Sequence, residues 1–247
     1  GPWHQCPADF FQRNRYGPSL RSCWKRNSFS KLSHEWSPKV TSSCRFTACP
    51  KNKTMVVLGK IKALILTCGS PLWRWYLIIR GCQVGRKFVA MGRPGLNRKR
   101  RSTIRLGNRV TLCSSGTANP VAENGRCRLA TLSPGARLVI GDGVGISSTT
   151  ICCAQHIEIG ENTIIGGGSL IMDTDFHPRN VDGTWGYAPE EGSKPIVIGK
   201  KCFIGARTII LKGVTIADET VVGAGSIVTK SWPGAKVIAG NPAKKIH

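Results

Sequence analysis

Ile198 to Val228 reads IGKKCFIGARTIILKGVTIADETVVGAGSIV, and its aliphatic residues return every sixth position: Ile198, Ile204, Ile210, Ile216, Val222 and Val228. Gly199, Gly205 and Gly223 each follow one of them. A period of six fits neither an amphipathic helix nor the alternation of a half-buried strand. It fits a solenoid in which each hexapeptide is one short flat side of a coil, with the aliphatic side chains stacked inside. Four residues after each aliphatic come Cys202, Thr208, Val214, Thr220 and Ser226. These are small or β-branched, which suits a cramped inward corner on extended backbone. The same register holds upstream at Ile159, Ile165 and Ile171, with Thr163 and Ser169 at the second position. It is visible again at Ile140 and Ile146, then slips by one residue before Ile159. The expected fold class is an all-β solenoid of hexapeptide repeats, preceded by a short helical segment.

The net charge of +23 over 247 residues is unevenly spread. Residues 1–54 carry ten Lys/Arg against Asp9 and Glu35, and residues 55–105 carry twelve with no acid. Residues 106–247 carry fourteen against eleven acids, so the repeat region is nearly balanced. Residues 1–54 show no period, capping pattern or signal-peptide core. The expectation is that translation starts at Met55 and that 1–54 are an over-extension of the reading frame; a disordered basic tail is the alternative. The expected organisation is thus 1–54, a basic, partly helical cap over 55–103, and the solenoid over 104–247.

Eleven cysteines without a Cys-x-x-Cys pair or Cys/His ligand spacing do not make a disulfide scaffold. A reduced, cytoplasmic chain is expected. Cys152 and Cys153 are neighbours on an expected strand and so face opposite ways, one into the core. In the cap, the uncharged stretch Ala63–Trp73 has eleven residues, against about 20 for a membrane span. Two short helices flanking Pro71 are expected, followed by the basic run Arg98, Lys99, Arg100 and Arg101. Their apolar sides either cap the open end of the solenoid or bring residues 55–101 to the inner face of a membrane. In that second case Trp73, Trp75 and Tyr76 sit at the interface. No nucleic-acid partner is expected, because no stacking platform or binding motif accompanies the charge.

Two insertions break the repeat, at roughly Cys113–Arg137 and at Asp173–Pro195, which reads DTDFHPRNVDGTWGYAPEEGSKP. Loops this long inside a regular repeat are functional or disordered as a rule. Asp173-Thr174-Asp175-Phe176-His177-Pro178, the hexapeptide ladder and Ala239-Gly240-Asn241-Pro242-Ala243 together resemble the hexapeptide-repeat O-acetyltransferases, over about residues 104–247. That family includes the maltose, galactoside, nodulation-factor and polysaccharide acetyltransferases. The resemblance implies a left-handed parallel β-helix, although left-handed crossovers run against the usual rule. It also implies a homotrimer that moves acetyl from acetyl-CoA to a hydroxyl of a sugar or glycan acceptor, with no metal.

A sugar hydroxyl is a poor nucleophile until its proton leaves, and histidine can accept it near neutral pH. His177 is therefore the expected general base, with Asp173 or Asp175 orienting the imidazole or binding acceptor hydroxyls. By resemblance, Gly205, Ala206, Ala224 and Gly225 admit the pantetheine arm and Asn241-Pro242 border the adenine. Lys230, Lys244 and Lys245 meet the phosphates, and Trp185 shapes the acceptor pocket. Related enzymes often carry Trp in the segment Cys202-Phe203-Ile204-Gly205; Phe203 keeps an aromatic face without an indole donor. Two alternatives stay open. One is a non-catalytic β-helical scaffold. The other is a γ-type carbonic anhydrase, which needs three histidines around zinc, whereas the repeat region offers only His156, His177 and His247.

Overall fold

The computed structural model describes residues 68–247 other than 117, 120, 122–124, 235 and 247. The expectations about residues 1–54 and a start at Met55 lie outside the described residues.

Short strands follow one another round a three-sided coil, and each pairs in parallel with its counterpart one coil away. The first sheet stacks Gln83–Val84, Thr103–Leu106, Arg137–Ile140, His156–Ile159, Ile196–Ile198 and Thr215–Ile216. The second stacks Val89–Met91, Thr111–Cys113, Gly145–Ser147, Ile164–Ile165, Phe203–Ile204, Val221–Val222 and Val237–Ala239, and ends on the antiparallel Lys244–Lys245. The third stacks Gly95–Arg98, Arg128–Thr131, Thr150–Cys153, Leu170–Met172, Ile209–Ile210 and Ile227–Val228.

The six-residue period becomes a set of inward columns. Ile140, Ile159, Ile198 and Ile216 are successive partners in the first sheet. Ile146, Ile165, Ile204, Val222 and Ile238 are partners in the second. All nine are buried, and each such side chain contributes about 1.5–3 kcal/mol relative to exposure. The small residues at the second position have a further reason to be hydroxylated. Thr163 Oγ1 donates to the Gly199 carbonyl at 2.8 Å, Ser169 Oγ to Gly166 at 2.9 Å, and Thr208 Oγ1 to Gly205 at 2.8 Å. Corner carbonyls turned inward are thereby satisfied inside the core.

Two boundaries differ from the sequence reading. The coil begins at Gln83, so residues 83–98 form a first full turn inside the region expected as cap. The first insertion is shorter than Cys113–Arg137, because Arg128–Thr131 is a regular third-sheet strand. Its outward Arg and Ala hide the period from a hydrophobic count.

Of the two helices expected around Pro71, α1 (Ser70–Ile79) carries Pro71 in its first turn; the one expected before it lies outside the described residues. Proline is at home in a first turn, where its missing N–H has no partner to lose. The helix closes the open end of the coil. Leu77 is fully buried, Arg74 donates to the carbonyls of Val84 and Gly85 at 3.1 Å each, and Ser70 Oγ bonds both backbone groups of Ala90. Trp73 and Tyr76 pack against the core, so they are not interface residues as expected for a membrane-facing helix. Trp75 points outward with Leu72 and Ile79, at 59%, 63% and 78% exposure. Among the described residues no helix is long and apolar enough to cross a membrane.

The far end is closed on each side. Trp232 exchanges backbone bonds with Thr215 and Ala217 at 2.7 and 3.0 Å, and Ala243 N–H donates to the Ile227 carbonyl at 2.8 Å. Val237–Ala239 is covered by the antiparallel Lys244–Lys245.

Corner glycines are imposed by the stacking distance. A Cβ on Gly166 would lie 2.5 Å from the amide nitrogen of Ala206 in the next coil, whereas one on Gly145 meets nothing within 4 Å. Gly166→Ala is expected to cost about 1–3 kcal/mol through overpacking, and Gly145→Ala to leave the unfolding midpoint unchanged or raised. Paired thermal melts check both.

Candidate active site

The loop 173–195 leaves the coil at the edge between the third and first sheets, after the strand Leu170–Met172. In the corner below, the Arg137 N–H meets the carbonyl of Gln155, one coil on, at 3.0 Å. His156 is the register partner of Arg137, but the chain that would face it has departed as the loop. Asp173 takes over. Its buried carboxylate accepts the N–H groups of Ala154 at 2.6 Å, Gln155 at 2.8 Å and His156 at 2.9 Å. Its carbonyl accepts the N–H of Lys194 at 2.9 Å, where the loop returns. Asp173 therefore neither orients the imidazole nor binds an acceptor: it is fully buried, and its carboxylate closes the gap in the ladder.

From Asp173 the chain is shaped link by link. Thr174 is buried, and its hydroxyl donates to the Pro189 carbonyl and accepts the Phe176 N–H at 3.0 Å. Phe176 sits at φ +65°, and His177 N–H closes a three-residue turn onto the Asp175 carbonyl at 2.7 Å. Such turns are rare and strained, and this one sends His177 outward. Asp175 does not reach the imidazole either; it pairs with Lys212, whose ammonium also donates to the Gly192 carbonyl at 2.9 Å. The loop is held further by Ser133 Oγ donating to Glu190 at 3.0 Å.

The imidazole is oriented by a backbone carbonyl. His177 Nδ1 lies 2.7 Å from the Gly186 oxygen. A carbonyl can only accept, so Nδ1 carries the proton, and in neutral histidine Nε2 is the bare, basic nitrogen. Tyr187 supports the ring edge-on, with centroids 5.6 Å apart. Trp185 is 70% exposed on the same loop, bridged through its backbone to Arg179. Gly186, Tyr187 and Lys212 were not singled out in the sequence. Lys212 belongs to a different coil, and only the third–first corner that it shares with the loop links it to Asp175.

The residues expected at the cofactor separate into two groups. Gly205-Ala206, Ala224-Gly225 and Asn241-Pro242 stack on one edge, between the second and third sheets. They are tied there by Gly225 N–H to Ala206 at 2.8 Å and Ile227 N–H to Gly240 at 3.0 Å. Ala224, Gly225, Asn241 and Pro242 are exposed along that edge. Lys244 and Lys245 are exposed on the strand beside its last corner. Lys230 is not with them: it follows the third-sheet strand Ile227–Val228, on the edge that also launches the His177 loop, and lies 5.0 Å over the Trp232 ring. Phe203 is 50% exposed on the second sheet between Ile164 and Val221.

Cys153 is fully buried and Cys152 faces outward, half-buried. Burial, and then the Asp173 carboxylate, push both thiols above the ordinary cysteine range. Neither is suited to act as a thiolate nucleophile.

Residues 195–230 match the family model described as the hexapeptide repeat of succinyl-transferase. The chain is 55% identical over 115 residues to WcaF of Escherichia coli K12, named as an acetyltransferase of colanic acid biosynthesis, covering 45% of this chain and 58% of that protein. It is 41% identical over 101 residues to galactoside O-acetyltransferase of the same organism, covering 40% and 47%. Serine acetyltransferase 2 of Arabidopsis thaliana is 36% identical over 116 residues, covering 47% and 32%. The chain thus spans about half the length of the curated relatives it matches. Among solved structures, AntD, an N-acyltransferase from Bacillus cereus in complex with dTDP and 3-hydroxybutyryl-CoA, superposes with a TM-score of 0.53 at 20% identity, covering 70% of this chain and 86% of that one.

The coil is accordingly a left-handed parallel β-helix of hexapeptide repeats. Its repeat region is similar in sequence to that of the acetyltransferases it matches, over about half of their length.

Two substitutions separate the loop's supports. Asp173→Asn removes the charge from three buried amide donors and is expected to cost about 2 kcal/mol or more, read from urea unfolding. Lys212→Met breaks a partly exposed pair and should cost less than about 1 kcal/mol. It should nevertheless speed amide exchange at His177 and Gly186, measured by hydrogen–deuterium exchange.

Proposed function

We propose that this protein is an acetyl-CoA-dependent O-acetyltransferase acting on a sugar or polysaccharide precursor, with His177 as general base. The observation that carries this reading is the bond between His177 Nδ1 and the Gly186 carbonyl, which leaves Nε2 free to accept a proton. Relatives named as a galactoside O-acetyltransferase and as an acetyltransferase of colanic acid biosynthesis support a saccharide acceptor. A solved neighbour bound to an acyl-CoA supports the donor class.

In the proposed reaction the acceptor hydroxyl attacks the thioester carbonyl carbon while its proton passes to His177 Nε2. The tetrahedral adduct then collapses: the carbon–sulfur bond breaks, and the proton returns from Nε2 to the departing thiolate. The Gly186 carbonyl stabilises the transient imidazolium through Nδ1–H. Ala206, Ala224 and Gly225 present a smooth edge on which a pantetheine arm can lie close to backbone, with Asn241-Pro242 at its end; Gly205 is buried beneath it against Ala224. That edge and His177 lie on different edges of the same prism. The separation supports a homotrimer in which one chain's edge faces the next chain's loop.

The outward stripe Leu72, Trp75 and Ile79 on α1 supports contact with an anionic membrane surface. Residues 55–105 carry twelve cations and no acid, a composition that favours anionic headgroups.

Calorimetric titration should show saturable acetyl-CoA binding that His177→Ala preserves, while turnover falls about 10²–10⁴-fold. A folded protein that does not bind acetyl-CoA would instead be a scaffold. In flotation assays, Leu72→Glu with Trp75→Glu should abolish association with phosphatidylserine vesicles; wild-type protein that stays with the soluble fraction removes the membrane contact.

A further inference from the structure

The outer face of the third sheet carries two adjoining hollows, of about 420 and 510 Å³, that share Arg126, Arg128 and Thr150. The first continues to Asn97 and Cys152, the second to Ser148. Their shape follows from the strands beneath. Gly95 is the register partner of Arg128, and a Cβ there would stand 3.3 Å from Arg128 Cγ. The missing side chain gives the arginine stem room to lie along the sheet. One coil on, Thr150 is the next partner of Arg128 and offers a hydroxyl below it. Two positions along the strand, Ala130 is too short to fill the space above Cys152.

Both arginines are exposed, and no described carboxylate pairs with either. Two guanidinium forks over an open, partly apolar hollow are matched to a planar or tetrahedral anion held by paired N–H bonds. The hollow also points toward the chemistry. Cys152 pairs with Met172, the last strand residue before Asp173 and the His177 loop. Across this face Met172 lies two positions along the strand direction and two strands over from Arg128, about 12 Å in all.

We propose that Arg126 and Arg128 form an anion-binding subsite that holds a carboxylate or phosphate of the acceptor, so that the saccharide acetylated is an acidic one. This rests on the acetyltransferase reading for its consequence, not for the binding itself. The arginines fix the charged group on the third sheet, and the saccharide extends along the face toward His177.

Saturation-transfer NMR on the full chain tests it with three probes: D-glucuronate, α-D-glucose 1-phosphate and D-glucose. At least one anionic sugar should give a strong, salt-sensitive signal and glucose a weak one; which anion responds identifies carboxylate or phosphate as the group recognised. Arg126→Gln with Arg128→Gln should cut that signal at least tenfold, and the double Lys variant should retain part of it. Unfolding midpoints and acetyl-CoA titrations should not move. Equal signals from glucose and both anions, or a signal unaffected by the Gln pair, would overturn the proposal. So would weakened acetyl-CoA binding in the Gln pair, since the arginines would then serve the donor's phosphates. Anion binding intact in a protein that does not take up acetyl-CoA would leave the subsite standing and remove the transferase reading.

Discussion

The whole molecule hangs on one repeated contact: a backbone amide of one coil meeting a carbonyl of the next, on every side of the prism. Parallel pairing at this spacing brings corners so close that Gly160, Gly166, Gly199 and Gly205 have no space for a Cβ. It also sets the inward columns, because register partners carry equivalent side chains. An interruption of the coil therefore does more than add a loop. It strips amides of their partners, and buried unpaired donors are costly. The Asp173 carboxylate meets that demand at the larger interruption, so the residue that makes the loop tolerable is also the one from which the loop is built.

This gives the acid-rich motif before His177 a division of labour. Asp173 is a structural anion inside the coil, Thr174 ties the loop to its own return, and Asp175 anchors outward to Lys212. The imidazole is left to a backbone carbonyl. A carbonyl can only accept, so it fixes the tautomer with the proton on Nδ1.

How much of this was legible in the sequence depended on distance along the chain. The columns were legible because every six-residue side contributes one inward aliphatic, and residues such as Ile204 and Val222 stack one full coil apart. Cys152 and Cys153 could be assigned opposite faces from strand alternation alone. The role of Asp173 was not legible, since its partners Ala154, Gln155 and His156 lie across a slip in register. Lys212 was out of reach because it lies in another coil, beyond the loop that it anchors. Trp73 and Trp75 could not be told apart without knowing that the helix opens at Pro71, which sets which of them turns inward. Arg128 was assigned to an insertion because outward-facing residues carry no periodic signature.

The two ends of the coil carry a consequence of their own. A stack of parallel strands presents, at each end, a row of unpaired groups able to recruit another stack, and unlimited head-to-tail growth is the hazard of such edges. Here Arg74 and Ser70 occupy the first coil's free groups, while Trp232, Ala243 and the reversed strand Lys244–Lys245 occupy the last. Reversal of direction matters most: a strand running antiparallel cannot continue a parallel template, and its two lysines repel a second copy. The coil is thereby a particle of fixed length rather than the first segment of a fibre.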